Sequence, residues 1–235
     1  MTTYNISKTF PCHALNRMVQ GHALNRMVQG QGQVTDKVAG VCRMFGLTVD
    51  RLSQRTTKHE CRLDVNDGDI VYITGPSGAG KSVLLKELEK SIPATQRVNL
   101  VQIKLPKDVA LVDCIDKDLV TTLRLLGIAG LSDCFCILNQ PGNLSDGQKY
   151  RFRLAMALAA KKKFVFADEF CSTLDRITAA VICYNVHKFA KQTGTTFILA
   201  SSYDDILLDL SPDCLVVKEL SGPAQVIYKN LERQT

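Results

Sequence analysis

The sequence predicts an α/β fold in which helices cover both faces of a mainly parallel sheet. Two observations lead to this class. Short runs rich in β-branched and aromatic residues alternate with longer runs whose apolar residues recur at helical spacing. A glycine-rich segment, GPSGAGKS at 75–82, also lies where one strand run ends and a helical run begins. Strands that are separated by helices pair in parallel, because the crossover helix returns the chain to the end of the sheet where the previous strand began.

The elements are predicted in order from about residue 36. Residues 38–47 are read as a strand or a short helix, and residues 117–131 as a helix with a glycine break. Strands are predicted where β-forming residues run together or alternate with polar ones. These strands span 69–75, 98–105, 162–170, 195–202 and 213–220, and the remaining helices span 81–92, 143–158 and 175–192.

Composition limits the class of protein. The chain has 235 residues, 46% of them hydrophobic, which is enough for one large core. Its apolar runs fall short of the roughly 18 to 20 residues that cross a bilayer. The first twenty residues lack the apolar centre of a secretion signal. Nine scattered cysteines are typical of free thiols in a reducing compartment. We therefore expect a cytoplasmic protein without a membrane span of its own.

The positive charge is concentrated at the amino end. Residues 1–62 carry nine Lys and Arg against three acids, which accounts for the whole net charge of +6. Within them, HALNRMVQG occurs at 13–21 and again at 22–30. We divide the chain into a basic, repeat-containing arm at 1–35 and one domain at 36–235. The arm is either a contact for nucleic acid or a solvated lead-in.

The segment GPSGAGKS has the pattern and the context of a phosphate-binding loop. Its glycines let successive backbone N–H groups face a phosphate, and the following helix adds positive potential at its amino end. Lys81 is expected to reach the β- and γ-phosphates of a nucleotide, and the Ser82 hydroxyl to bind Mg²⁺. The predicted nucleotide-binding residues are Gly75, Pro76, Ser77, Gly78, Ala79, Gly80, Lys81 and Ser82.

A second strand ends in two acids. In FVFADE at 164–169, an apolar run precedes Asp168 and Glu169. Asp168 is predicted to hold the water shell of the magnesium ion. Glu169, one residue further on, is predicted to polarise the attacking water as a general base.

The helix at 143–158 begins with a polar turn, Leu-Ser-Asp-Gly-Gln at 144–148. Taken alone, the turn is an ordinary helix cap in which Ser145 or Asp146 accepts hydrogen bonds from early N–H groups. Its other interpretation depends on the rest of the chain.

The four segments GPSGAGKS, LSDGQ, FVFADE and STLD (172–175) stand in an order that resembles the ABC ATPase family over roughly residues 38–222. Three segments are similar to those of the soluble ABC-type modules that accompany GNAT acetyltransferase domains, namely LSDGQKYRFRLA, ADEFCSTLDRITA and SSYDDILLDLSPD. The resemblance implies a P-loop fold and a head-to-tail homodimer. In that dimer Ser145, Gly147 and Gln148 would face the γ-phosphate of the opposite subunit, and Asp175 would lie at the seam.

Several positions depart from the family pattern. Leu144 lies only 63 positions after Lys81, which implies a shortened helical subdomain and disfavours transport. Gln102 is the candidate for the glutamine that reaches the magnesium ion, with Asp113 as its rival. Tyr203, or else Ser202, takes the place of the switch histidine, so turnover is expected to be slow. Phe45 is either the aromatic residue that stacks on adenine or a core residue.

The sequence therefore predicts a soluble ABC-type ATPase that binds and hydrolyses MgATP at composite sites of a homodimer. Dimerisation would drive a conformational change in an unidentified protein partner. Two alternatives remain open: the ATP-binding subunit of a transporter, and a nucleotide-gated binding module with little hydrolysis.

Overall fold

A computed structural model of the chain describes residues 1–11, 36–46, 56–220 and 222–229. The tandem repeat at 13–30, with most of the predicted basic arm, lies outside the described residues. The strands are β1 Thr2–Pro11, β2 Thr56–Val65, β3 Ile70–Thr74, β4 Arg97–Asn99, β5 Phe164–Ala167, β6 Thr196–Ala200, β7 Cys214–Val217 and β8 Gln225–Tyr228. The helices are α1 Asp36–Met44, α2 Lys81–Ser91, α3 Leu119–Ile128, α4 Cys134–Ile137, α5 Asp146–Ala159, α6 Arg176–Thr193 and α7 Leu207–Leu210.

Six strands form the central sheet in the order β4-β5-β6-β3-β7-β8. The first four pairings along this order are parallel, and only β7 with β8 is antiparallel. The predicted mainly parallel sheet is confirmed. Strands β3, β5 and β6 are buried over their whole length, as expected for parallel strands that are covered on both faces.

Each face of the sheet has its own apolar core. On one face, side chains of α3, α5, α6 and α7 pack against Ile70, Tyr72 and Phe197. On the other face, α2 and β2 pack against Val71, Ile73 and Ile198. Alternate residues of β3 and β6 thus enter different cores, because successive side chains of a strand point to opposite faces.

The predicted strand at 98–105 is much shorter in the structure. Strand β4 ends at Asn99, and Leu100–Gln102 forms a 3-10 turn. The Asn99 side chain accepts a hydrogen bond from the Val101 N–H and so caps this turn. Residues 98–105 alternate like a strand, but a capped turn competes locally with sheet pairing.

The helical subdomain between β4 and α5 is small, as the sequence predicts. Its described helices are α3, with ten residues, and α4, with four. Asp118 and Asp133 cap them through side-chain carboxylates that accept early backbone N–H groups.

Ten residues of the predicted arm, Thr2–Pro11, form a strand. Strand β1 pairs antiparallel with β2 over its full length, from Thr2 opposite Val65 to Pro11 opposite Thr56. The Tyr4 ring meets Phe164 of β5 edge to face, with 6.4 Å between ring centroids. The amino end therefore packs on the domain that is predicted to begin at residue 36. The division of the chain into domains stays a prediction.

We expect Tyr4→Ala to lower the free energy of unfolding by about 1–2 kcal/mol, because it removes a half-buried ring and one aromatic pair. Asn5→Ala is the matched control, since Asn5 is the exposed neighbour on the same strand. Urea unfolding of both variants measures the difference. Equal stability of the two variants would show that β1 contributes no packing to the domain.

Candidate functional site

The predicted phosphate and acid motifs meet at one edge of the sheet. Strands β5, β6 and β3 are neighbours and run parallel, so their carboxyl ends lie side by side. The backbone pairing continues past the strand ends: the Ser201 N–H donates to the Ile73 carbonyl at 3.1 Å, and the Phe170 N–H donates to the Ala200 carbonyl at 2.9 Å. These bonds fix where Asp168 and Glu169 lie relative to the loop that follows β3.

The loop after β3 uses glycine where other residues do not fit. Gly75, Gly78 and Gly80 have φ values of 139°, 84° and 95°. A Cβ atom on Gly75 would also lie 2.0 Å from the Lys218 carbonyl oxygen, because β7 passes directly beside the loop. Gly80 is the N-cap of α2, so the loop delivers the chain to the amino end of that helix. The predicted strand–loop–helix context is present.

Lys81 holds the phosphate loop in a curled conformation through two hydrogen bonds to its carbonyl groups. Its side chain is buried, and its ammonium group donates to the carbonyl oxygens of Gly75 at 2.8 Å and Pro76 at 3.1 Å. An ammonium group has three N–H donors. Two of them hold the loop in its curled form, and the third is available for a phosphate oxygen.

Ser82 and Asp168 are in direct contact although 86 positions separate them. The Ser82 hydroxyl donates to the Asp168 carboxylate at 3.0 Å. Mg²⁺ prefers oxygen ligands, and it commonly keeps several waters while it contacts one or two protein oxygens and substrate phosphates. A hydroxyl and a carboxylate at this separation, next to a phosphate loop, fit such an ion. Among the described residues no group of three or more His, Cys, Asp or Glu forms a metal site of the all-protein kind.

Glu169 occupies a strained turn that exposes its carboxylate. Glu169 and Cys171 have φ values of 50° and 59°, in the left-handed region that non-glycine residues seldom adopt. Phe170, between them, is fully buried and anchors the turn. The cost of such conformations, about 1–3 kcal/mol each, must be met by surrounding contacts. The turn places Glu169 outside the core, directly after the acid that contacts Ser82.

Tyr150, which is not among the predicted site residues, supports this turn. Its hydroxyl accepts the Cys171 N–H at 3.0 Å. Burial raises the pKa of the Tyr150 hydroxyl well above its ordinary value, so the group stays neutral. The only signal in the sequence is a tyrosine within an otherwise apolar helix stripe, which does not reveal a partner in another element.

The predicted switch position lies beyond β6. Tyr203 is half exposed, and its backbone carbonyl accepts a hydrogen bond from the buried Tyr72 hydroxyl. Asp204 accepts a hydrogen bond from the Thr74 hydroxyl, one residue before the phosphate loop. The backbone at 203–204 is therefore tied to β3, while the Tyr203 ring is accessible from solvent. The choice between Tyr203 and Ser202 stays open.

The turn at 144–148 forms a full helix cap. The Ser145 hydroxyl accepts the Gln148 N–H, and the Gln148 side chain accepts the Ser145 N–H at 2.9 Å. A Cβ atom on Gly147 would lie 3.4 Å from Leu174 and 3.6 Å from the Thr173 carbonyl oxygen. The cap thus packs against the STLD segment, whose Asp175 caps α6. The capped turn and the STLD segment are therefore neighbours within one subunit, and the place of Asp175 at a dimer seam stays a prediction.

Two other predicted residues lack a described contact with the loop. The Gln102 amide donates to the Glu89 carboxylate of α2 at 3.1 Å, and Asn99 donates to the same carboxylate at 2.7 Å. Phe45 follows α1 and is largely exposed, which argues against the core alternative. The roles of Gln102 in metal binding and Phe45 in adenine stacking stay predictions, as does the rival position Asp113.

We expect Gly75→Ala to destabilise the fold by at least about 2 kcal/mol and to abolish ATP binding, since both the backbone angle and the Lys218 carbonyl exclude a side chain. Gly78→Ala is the matched control. It has a positive φ as well, but no heavy atom lies within 4 Å of its added Cβ. Urea unfolding and ATP titration measure both variants. Equal losses in the two would show that the contact with Lys218 is unimportant.

Similarity to known proteins was found by sequence and by structure. The family model described as "ABC transporter" matches residues 59–110, which include the phosphate loop. The zinc import ATP-binding protein ZnuC of Jannaschia sp. is 27% identical over 186 residues, covering 70% of this chain and 76% of that protein. The methionine import ATP-binding protein MetN of Sodalis glossinidius is 28% identical over 200 residues, covering 70% of this chain. The chain spans only 58% of the length of that relative.

Solved structures share the fold. A dimeric bacterial ABC transporter cassette superposes with a TM-score of 0.61 at 17% identity, covering 75% of this chain and 93% of the cassette. A dimeric cassette in a post-hydrolysis state bound to ADP and Pi gives a TM-score of 0.59 at 19% identity, with the same coverage. The chain thus has the fold of ABC ATP-binding cassettes. The sequence and structure comparisons thus agree on one kind of similar protein, the ATP-binding cassette.

Proposed function

We propose that the chain binds and hydrolyses MgATP as an ABC-type homodimer and thereby drives a conformational change in a protein partner. The observation that carries this proposal is the contact between Ser82 and Asp168, which joins the phosphate loop to the acid strand. Lys81, whose third donor is available, would bind the β- and γ-phosphates. The exposed Glu169 carboxylate would accept a proton from the attacking water.

Magnesium would be held by the Ser82 hydroxyl and, through water, by the Asp168 carboxylate. When bound, the ion neutralises charge on the phosphates and orients them for attack. The chain's own groups then do the rest: the loop N–H groups fix the phosphates, and the Glu169 turn holds the base. The capped turn at Ser145 would complete the site of the opposite subunit, as the resemblance implies.

Lys81→Ala is expected to weaken ATP binding at least about 100-fold, because the only described ammonium group that contacts the loop carbonyls is removed. The control is Lys86→Ala, an exposed lysine on the same helix. Isothermal titration with ATP and Mg²⁺ compares the two, and circular dichroism checks that both fold. Unchanged affinity in Lys81→Ala would refute the assignment of the loop.

The described surface offers a place for a partner on the small helical subdomain. Leu119, Val120 and Leu123 of α3 are exposed, as are Phe135 of α4 and Leu138 directly after it. Large apolar side chains in one small subdomain are typical of protein contacts. This surface supports a partner of either kind, integral or soluble.

The second candidate function is the ATP-binding subunit of a transporter. The importers among the similar proteins favour it, whereas the small helical subdomain and the resemblance to GNAT-associated modules favour a soluble partner. No helix among the described residues is long and apolar enough to span a bilayer. Fractionation of cells that express the tagged protein separates the candidates: retention in membranes only with an integral partner supports the transporter.

A further inference from the structure

A cavity of about 510 Å³ opens at the end of the sheet where the parallel strands begin, the amino-terminal end. Its lining includes residues 161–163, directly before β5, and Gly194 and Thr195, directly before β6. The candidate ATP site lies at the opposite end of the sheet, at the carboxyl-terminal ends of the strands. The cavity therefore belongs to a different part of the molecule. Its volume is within the roughly 300–1,000 Å³ that is typical of small-molecule sites.

One part of the cavity wall is apolar. Leu125 and Ile128 come from α3, Leu158 from α5 and Phe189 from α6. All four belong to, or pack against, the core on that face of the sheet. The wall is therefore built on three helices that packing holds in place.

The cavity lining is also rich in positive charge. Five cations line the cavity, namely Lys117, Arg124, Lys161, Lys162 and Lys163, and none of the fourteen described lining residues is acidic. Clustered like charges destabilise a fold unless a counter-charge is present. The cluster thus favours an anion within the cavity.

Protein contacts satisfy only part of this charge. Lys163 forms an ion pair with Asp67 at 2.8 Å, and Lys162 donates to the Thr95 carbonyl at 2.9 Å. The side chains of Lys117 and Lys161 have no hydrogen bond or ion pair with any residue in the described part of the chain. These two ammonium groups remain available for a ligand.

Stabilisation of helix ends does not account for the cluster. Cations after the last turn of a helix are favourable, which explains lysines behind α5. Lys117, however, comes directly before Asp118, the N-cap of α3. A cation at the amino end of a helix is opposed by the helix dipole, so the dipole gives Lys117 no stabilisation at this position.

We propose that this cavity binds a small amphipathic anion, with an apolar body on the Leu125–Ile128 wall and a phosphate group between Lys117 and Lys161. The charge of the rim favours a phosphate over a singly charged head group, and the concave shape with an apolar wall favours a free small molecule over a flat membrane surface. The proposal is independent of nucleotide binding at the other edge of the sheet.

The test uses octyl phosphate, octanol and inorganic phosphate as probes of the full-length protein in isothermal titration. Octyl phosphate is expected to bind at least about tenfold more tightly than either of the others, since only it offers both an apolar body and charge. Its affinity is expected to fall with added salt. Equal affinity for all three probes would overturn the proposal, as would binding to phosphatidic acid vesicles without binding to octyl phosphate.

Variants locate the site. Lys117→Glu and Lys161→Glu are each expected to weaken octyl phosphate binding about tenfold. Ile128→Ser is expected to weaken octyl phosphate but not inorganic phosphate. Lys86→Glu, the same charge change on the other face of the sheet, is expected to have no effect. Equal effects of Lys86→Glu and Lys161→Glu, or displacement of octyl phosphate by ATP, would exclude this cavity as the binding site.

Discussion

Glu169→Gln is expected to bind ATP normally, to hydrolyse it about 100- to 10,000-fold more slowly and to accumulate as a dimer with ATP and Mg²⁺. Glutamine keeps the size of the side chain and the strained turn, but it accepts a proton poorly. Because the carboxylate is exposed and makes no described side-chain hydrogen bond, the fold is expected to be unaffected. Phosphate release measures the rate, and light scattering measures the mass.

The control for this variant is Glu219→Gln, an exposed acid in the loop after β7. It is expected to hydrolyse ATP at the rate of the unmodified protein. A Glu169→Gln protein that is fully active would remove Glu169 as the base. One that is inactive but monomeric would leave the base in place and contradict the dimer mechanism.

The central sheet and the strand, loop and helix at 70–91 could be predicted because their signals are local. The apolar run before Gly75 and the glycine spacing after it lie within about a dozen residues, and the same is true of the run before Asp168. In an α/β fold the carboxyl ends of parallel strands share one edge, so locating two strand ends already brings Ser82 and Asp168 together. The observed distance of 3.0 Å agrees with that inference.

What the sequence did not reveal depends on contacts between distant segments. Strand β1 has few large apolar residues, and its pairing partners in β2 lie 45 to 63 positions further along the chain. The Tyr150 hydroxyl and the Thr74–Asp204 bond likewise join different elements. At 98–105 the alternating pattern was real, but the Asn99 cap ended the strand. In each case a tertiary or local hydrogen bond decides what a hydrophobic pattern alone leaves open.

Ser145→Arg is expected to bind ATP but to fail in dimerisation and hydrolysis, if Leu144–Gln148 is half of a shared site. The structure gives the turn a complete capping box, and loss of this cap alone costs about 1 kcal/mol. Such a loss leaves a folded protein whose ATPase rate is reduced only in proportion to the unfolded fraction. Comparison of the ATPase rate with the folded fraction, which urea unfolding gives, therefore separates a lost cap from a lost site. Asn143→Arg, an exposed position two residues earlier, is the charge-matched control.

Complementation decides whether the site is shared between subunits. A heterodimer of a Ser145→Arg chain and a Lys81→Ala chain has one intact composite site, because the first chain supplies the phosphate loop and the second supplies the capped turn. Neither variant alone has such a site in any dimer. We expect the mixture to regain hydrolysis, up to one site for each mixed dimer, while each variant alone is inactive. Mixed dimers that form but remain inactive would show that Ser145 only caps its own helix. The amino end of that helix, with its dipole and N–H groups, would then face no nucleotide of the opposite subunit.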